Sequence, residues 1–104
     1  MFLNLQDRAI FVADSHYNSK NTEFLIFLEQ LDSKKIQTNQ LILMGDNFDF
    51  LSSESKFFVK QNIKIINLLN KLAQEIEIVY LEGNHDYNLQ KLFPEIEVVK
   101  RENQ

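Results

Sequence analysis

The sequence has 104 residues, 44% of them hydrophobic, which suffices for one small domain and excludes a disordered or fibrous chain. A net charge of −4 and a pI near 5.1 leave no basic field to hold a nucleic-acid backbone, so no nucleic-acid partner is expected. Cysteine is absent, which removes disulfides, zinc–thiolate sites and thiol nucleophiles together and fits a reducing cytoplasm.

Residues 1–5 are mildly apolar, but no basic segment leads into them and Asp7 and Arg8 interrupt early, so no signal peptide is read. Residues 9–13 form a short apolar run ending at Asp14, the pattern of a strand buried on both faces. From Asn21 onward, Phe24, Phe27, Leu28 and Leu31 recur at helical spacing, with Ser19 or Asn21 as the N-cap. A second apolar run, Leu41-Ile42-Leu43-Met44, stops at Gly45-Asp46. Capping residues at 52–55 then precede one helix whose face carries Phe58, Ile65, Ile66, Leu69, Leu72 and Ala73. Residues 76–81 make a third strand, rich in β-branched side chains and far short of the roughly 20 residues a membrane span needs. Residues 87–93 read as a short helix stopped near Pro94, and Val98-Val99 as the start of a fourth strand.

Alternating strands and helices in βαβαβ order predict an α/β fold with a mainly parallel sheet built from right-handed crossovers. No repeat, low-complexity tract or linker divides the chain, so residues 1–104 read as a single unit. Its end, a strand and turn with nothing after them to cover the sheet, reads as part of a larger domain.

Each strand of this pattern ends in a polar cluster: Asp14-Ser15-His16, then Gly45-Asp46-Asn47-Phe48-Asp49, then Gly83-Asn84-His85-Asp86. The carboxyl edge of an open parallel sheet is where loops converge on ligands. There, four carboxylates gathered with two imidazoles and no lysine or arginine would crowd like negative charges at a cost unless a cation neutralised them. Oxygen and imidazole donors without sulfur suit manganese, iron, zinc or magnesium. Taken singly, each cluster has a plainer reading: an aspartate closing a strand can be a cap, Gly-Asp a tight turn, His85 a surface histidine. Those readings are independent of one another and leave the common order unexplained.

The ordered set Asp-x-His, Gly-Asp-x-x-Asp and Gly-Asn-His-Asp resembles the calcineurin-like metallophosphoesterase superfamily over essentially the whole chain. The resemblance implies the N-terminal half of an α/β/β/α sandwich and two divalent metal ions, with manganese the first choice. It implies Asp14 and His16 on the first metal, Asp46 bridging both, and Asn84 on the second. His85 would stand beside the scissile phosphate as general acid or electrostatic stabiliser, and Asp49 and Asp86 would orient ligands or His85. The reaction implied is in-line attack on phosphorus by water activated between the metals.

Within that superfamily, Ala13-Asp14-Ser15-His16-Tyr17, residues 43–50 and Glu82-Gly83-Asn84-His85-Asp86-Tyr87 are similar to bacterial UDP-2,3-diacylglucosamine pyrophosphatases of lipid A synthesis. Many of those enzymes carry arginine in place of His85. The likeness implies a nucleotide-lipid substrate and a cytoplasmic protein, peripheral on the inner face of the membrane. Phe48, Phe50, Leu51, Phe57 and Phe58 would then line a path for acyl chains, or else fill the core. Lys34-Lys35 and Lys100-Arg101 would touch anionic lipid, or else be solvated surface. The superfamily pattern also needs a further histidine and a Gly-His-x-His pair, whereas His16 and His85 are the sole histidines here. The chain is therefore expected to be a truncated or split piece, inactive by itself, whose C-terminal half acts in cis or in trans. The alternatives are a cyclic-nucleotide or nucleic-acid phosphodiesterase, or a non-catalytic half-domain that docks on a complementary chain.

Overall fold

The apolar runs of the sequence become strands in a computed structural model that describes residues 8–101. In chain order the elements are β1 (Ile10–Val12), α1 (Glu23–Asp32), β2 (Gln40–Met44), β3 (Leu51–Ser52), α2 (Lys56–Gln61), α3 (Ile63–Leu72), β4 (Glu77–Leu81), β5 (Asp86–Tyr87) and β6 (Glu97–Val99). The apolar start at 1–5 and the end of the turn at 102–104 lie outside the described residues.

Four strands form one wholly parallel sheet in the order β1-β2-β4-β6, and β3 and β5 form a second, two-stranded parallel pair. In the larger sheet, Ile10 pairs with Leu41 and Leu41 with Ile78, while Val12, Leu43, Tyr80 and Val98 lie in register one layer on. Because side chains alternate along a strand, these residues share one face. On that face α1 and α3 pack against each other and against the sheet, burying Phe24, Leu28 and Leu31 from α1 and Ile65, Leu69 and Leu72 from α3. Each such fully buried leucine or phenylalanine contributes on the order of 1.5–3 kcal/mol of transfer free energy. The opposite face carries Phe11, Ile42, Met44, Val79, Leu81 and Val99 in register. Phe11 there is 49% exposed and Met44 46% exposed. An α/β fold with helices on one face and an apolar second face agrees with the N-terminal part of a two-sheet sandwich.

Four details differ from the pattern read in the sequence. β1 is an edge strand of the described sheet and is half-buried, so its apolar run does not signal burial on both faces. α1 starts after Thr22, which makes no side-chain cap. Asn21 instead spends its amide on the carbonyls of Ser15 and His16, and Asn18 accepts from the Asn21 N–H. The single helix expected after residue 55 is two, broken at Asn62. Its amide donates to the Phe58 carbonyl one turn back (2.8 Å) and to Phe50 (3.3 Å), drawing the backbone out of helical geometry. Residues 87–93 are not helical. Leu89, Phe93 and Ile96 do reach the core. The Leu89 N–H, however, bonds the Glu82 carboxylate (2.8 Å) and Asn88 takes a left-handed backbone at φ 54°, so β4 and β6 are joined by turns.

Candidate active site

The loops after β1, β2 and β4 are laced together residue by residue. Asp14 N–H donates to the Gly45 carbonyl (3.1 Å), His16 N–H to Asp46 (3.1 Å), Tyr17 N–H to Asn47 (2.8 Å), and Asp49 N–H returns to Tyr17 (2.9 Å). The third loop joins through Leu51 N–H to the His85 carbonyl (2.9 Å), which starts the β3–β5 pair, and through His85 N–H to Asp46 Oδ1 (2.9 Å). Sequence order alone put three clusters at strand ends. The lacing places them at one edge, where the His16 and His85 rings face each other edge to face at 6.1 Å between centroids.

The loops take uncommon backbone conformations, which one buried carboxylate helps to hold. Asp14 (φ 53°), His16 (φ 46°) and Asp46 (φ 52°) all take the left-handed region, so three of the candidate ligands sit in backbone that L-residues seldom adopt. Asp86 is fully buried: its Oδ1 accepts the N–H groups of Asp46 and Gly83 (both 2.9 Å), and its Oδ2 accepts that of Asn47 (2.9 Å) and the Tyr80 hydroxyl. The carboxylate of Asp86 thus fastens backbone of the second and third loops. Burial raises the Asp86 pKa, opposed by the bonds from Tyr80 and from the backbone, and burial next to this carboxylate lifts the Tyr80 phenol well above its ordinary value. Asn47, also fully buried, sews in the first loop by accepting from the Ser15 hydroxyl (2.7 Å) and donating to the Val12 carbonyl (3.3 Å).

Gly83 explains why the third motif opens with glycine. A Cβ there would lie 2.5 Å from Asp46 Oδ1 and 2.7 Å from Asp46 N, closer than side-chain carbons ever pack. Gly83→Ala is expected to destabilise the domain by about 2–3 kcal/mol through overpacking against Asp46, read as a lowered Tm; an unchanged Tm would mean that the two loops are not in contact.

The other candidates sit as follows. Asp14, Asn84 and His85 are exposed, His16 and Asp46 half-buried, and Asp49 is exposed with its Oδ2 3.5 Å from the Asn18 amide. Among the described residues no lysine or arginine pairs with Asp14, Asp46, Asp49 or Asp86; the salt bridges join Lys34 to Glu75, Lys64 to Glu29 and Lys71 to Asp32, all on the helices or their ends. A divalent cation fits this edge in donor chemistry and in charge. The set is short in number: among the described residues no three His, Asp or Glu side chains gather as a group able to hold a metal ion.

The aromatic residues after β2 divide. Phe48 and Leu51 are fully buried core, whereas Phe50 and Phe58, packed at 4.6 Å, line a cleft of about 270 Å³ beside Tyr17 and Asp49. A larger cleft of about 390 Å³ opens at the opposite edge, among Ile36, Thr38 and Ile76, and holds none of the candidate residues. No helix among the described residues is long and apolar enough to cross a membrane.

Two supporting residues were given no role by the sequence. Tyr80 looks like any apolar strand residue, and its hydroxyl partner Asp86 is six positions on. Glu82, a charge between a strand and a glycine, is 6% exposed, with one carboxylate oxygen bonded to the Leu89 N–H and the other without a partner. A carboxylate ending an apolar run was the signal available.

The profile of calcineurin-like phosphoesterases matches residues 8–103. No curated protein matches the chain. Among solved structures, the nuclease MPE of Pseudomonas putida is similar at 29% identity with a TM-score of 0.55, over 89% of this chain and 48% of that one. The chain thus spans about half the length of that relative.

Proposed function

We propose, from the premise that the chain belongs to the calcineurin-like phosphoesterase family, that the protein carrying it is a metal-dependent hydrolase of phosphodiesters. The observation that carries this reading is the meeting of Asp46 with the His85 loop, at an edge whose carboxylates pair with no lysine or arginine among the described residues. Asp14, His16, Asp46 and Asn84 would hold two divalent ions, manganese first, with iron, zinc or magnesium as substitutes. Such ions, when bound, polarise phosphoryl oxygens and make water a nucleophile at neutral pH.

The chain's own residues supply the rest. His85 has its backbone pinned to Asp46 and its ring exposed towards His16, so a ring nitrogen can carry a proton to the leaving oxygen. Asp86 holds the backbone of Asp46 and Asn47 in place, and Asp49, on the same loop, steadies Asn18. Histidine rather than arginine at position 85, and likeness to a protein described as a nuclease, both support a phosphodiester. The motif strings at 13–17 and 82–87 support a second substrate, the pyrophosphate bond of UDP-2,3-diacylglucosamine, with the protein then working at the inner face of the cytoplasmic membrane.

An aryl phosphodiester assay on the full-length protein tests the reading. Turnover is expected with manganese and its loss on chelation, with restoration by added metal; an oligonucleotide and UDP-diacylglucosamine, assayed in parallel, separate the substrates. The 104-residue chain assayed alone is expected to be silent, since it spans about half the length of the nuclease it resembles. A full-length protein that neither binds manganese by calorimetry nor turns over would instead be a non-catalytic docking domain.

A further inference from the structure

We infer that the cleft beside the candidate site is a nucleobase subsite, with Phe58 and Phe50 as its stacking wall; this rests on the phosphoesterase reading for the position of the phosphate. The cleft, about 270 Å³, is lined by Tyr17, Phe50 and Phe58 together with Asn18, Asp49 and Gln61. Its volume lies just under the roughly 300 Å³ at which drug-sized pockets begin, room for one planar ring.

The wall is preorganised. Phe50 is braced by Phe58 at 4.6 Å and by Tyr87 edge-on at 5.7 Å, and Phe57 braces Phe58 from behind at 5.0 Å. The Asn62 amide ties the Phe50 and Phe58 carbonyls together, so the two rings are carried on one rigid frame. Unlike fully buried Phe48 two residues earlier, Phe50 and Phe58 stay half-exposed.

The chemistry of the lining selects the ligand. Among the described residues no lysine or arginine lines the cleft and Asp49 does, which repels phosphate and leaves that group to the metal edge. Aromatic side chains bordered by three carboxamides, of Asn18, Gln61 and Asn62, and a carboxylate match a base, which has a π-face and N–H and carbonyl groups at its rim. Position agrees as well. Tyr17 follows His16 directly and shares backbone bonds with Asn47 and Asp49, so the cleft borders the loops that carry the candidate ligands.

The test is an NMR titration of the chain, in chelator, with uridine and cytidine, and separately with ribose 5-phosphate and octanoate. The nucleosides are expected to bind at millimolar concentration and to shift the side-chain amides of Asn18, Gln61 and Asn62, with ribose 5-phosphate silent. Phe58→Leu keeps the apolar volume and removes the stacking face, so nucleoside binding should weaken about tenfold. Gln61 is exposed, so Gln61→Ala leaves the fold intact and should weaken binding by a few-fold. Octanoate shifting those amides while nucleosides do not, or Phe58→Leu binding as wild type, would overturn the assignment. A short oligothymidylate and a uridine diphosphate sugar, competing with uridine, distinguish a nucleic-acid source of the base from a nucleotide-sugar one. Silent nucleosides, or ribose 5-phosphate shifting the same amides, would likewise overturn the assignment; since no turnover is read, either would leave the phosphoesterase reading intact, and an inactive enzyme would leave the cleft assignment intact.

Discussion

Asp46→Asn in the full-length protein is expected to lower turnover of an aryl phosphodiester by about a thousandfold, with the fold retained. The substitution separates chemistry from structure because of what Asp46 does here. Its Oδ1 accepts the His85 N–H at 2.9 Å, a bond that an asparagine oxygen can still accept, and its own N–H bonds Asp86 through the backbone, which the substitution leaves unchanged. The charge is what disappears. Charge stabilisation by bound divalent ions is worth several kcal/mol, and each 1.36 kcal/mol is a factor of ten in rate, hence about three orders of magnitude. Manganese affinity, followed by calorimetry, should fall in the same variant while its Tm stays near that of the wild type. Wild-type turnover in Asp46→Asn would remove Asp46 from the metal site.

Asp86→Asn is expected to do the reverse and attack the fold first. Four donors converge on this one carboxylate, from Asp46, Asn47, Gly83 and Tyr80. Asparagine offers one oxygen, and its amide would turn two further hydrogens towards donors. At about 1–3 kcal/mol for each buried donor left without an acceptor, the loss is about 3 kcal/mol or more. In a domain of this size that is a Tm lower by more than about 10 °C, measurable by calorimetry on the chain itself. Loss of dispersion among the amide signals of residues 45–47 and 83–86 should accompany it, because the carboxylate is what joins those loops. A variant melting within about 2 °C of wild type would show that the four bonds contribute little net stability.

The elements most legible in the sequence were those whose own periodicity sufficed. The runs at 41–44 and 76–81 became β2 and β4 at the centre of the sheet, and the leucine and isoleucine spacing of α1 and α3 marked the faces those helices bury. Where local pattern and tertiary demand competed, pattern misled. Leu89, Leu92, Phe93 and Ile96 recur at helix-like spacing and do turn inward, but a bond to Glu82 and a left-handed Asn88 pull that segment into turns. Asn62 sits in the middle of a helical stripe, and its amide breaks the stripe because the Phe50 carbonyl, twelve residues away in sequence, is there to be bonded. The pairs of β3 and β5 have two residues each, too few for any period to show.

By itself the sequence determined which side chains stand at strand ends and in what order: Asp14 and His16, then Asp46 and Asp49, then Asn84, His85 and Asp86. Residue type and strand periodicity are local properties, so one chain read in one direction contains them. Only the tertiary structure decided that a buried Asp86 with Tyr80 beneath it clamps two loops together, that Gly83 is bare because Asp46 lies against it, and that Phe50 and Phe58 wall a cleft while Phe48 fills the core. Each of these is a contact between segments distant in sequence, fixed by sheet register and by where buried donors find acceptors, and no local pattern encodes such a distance.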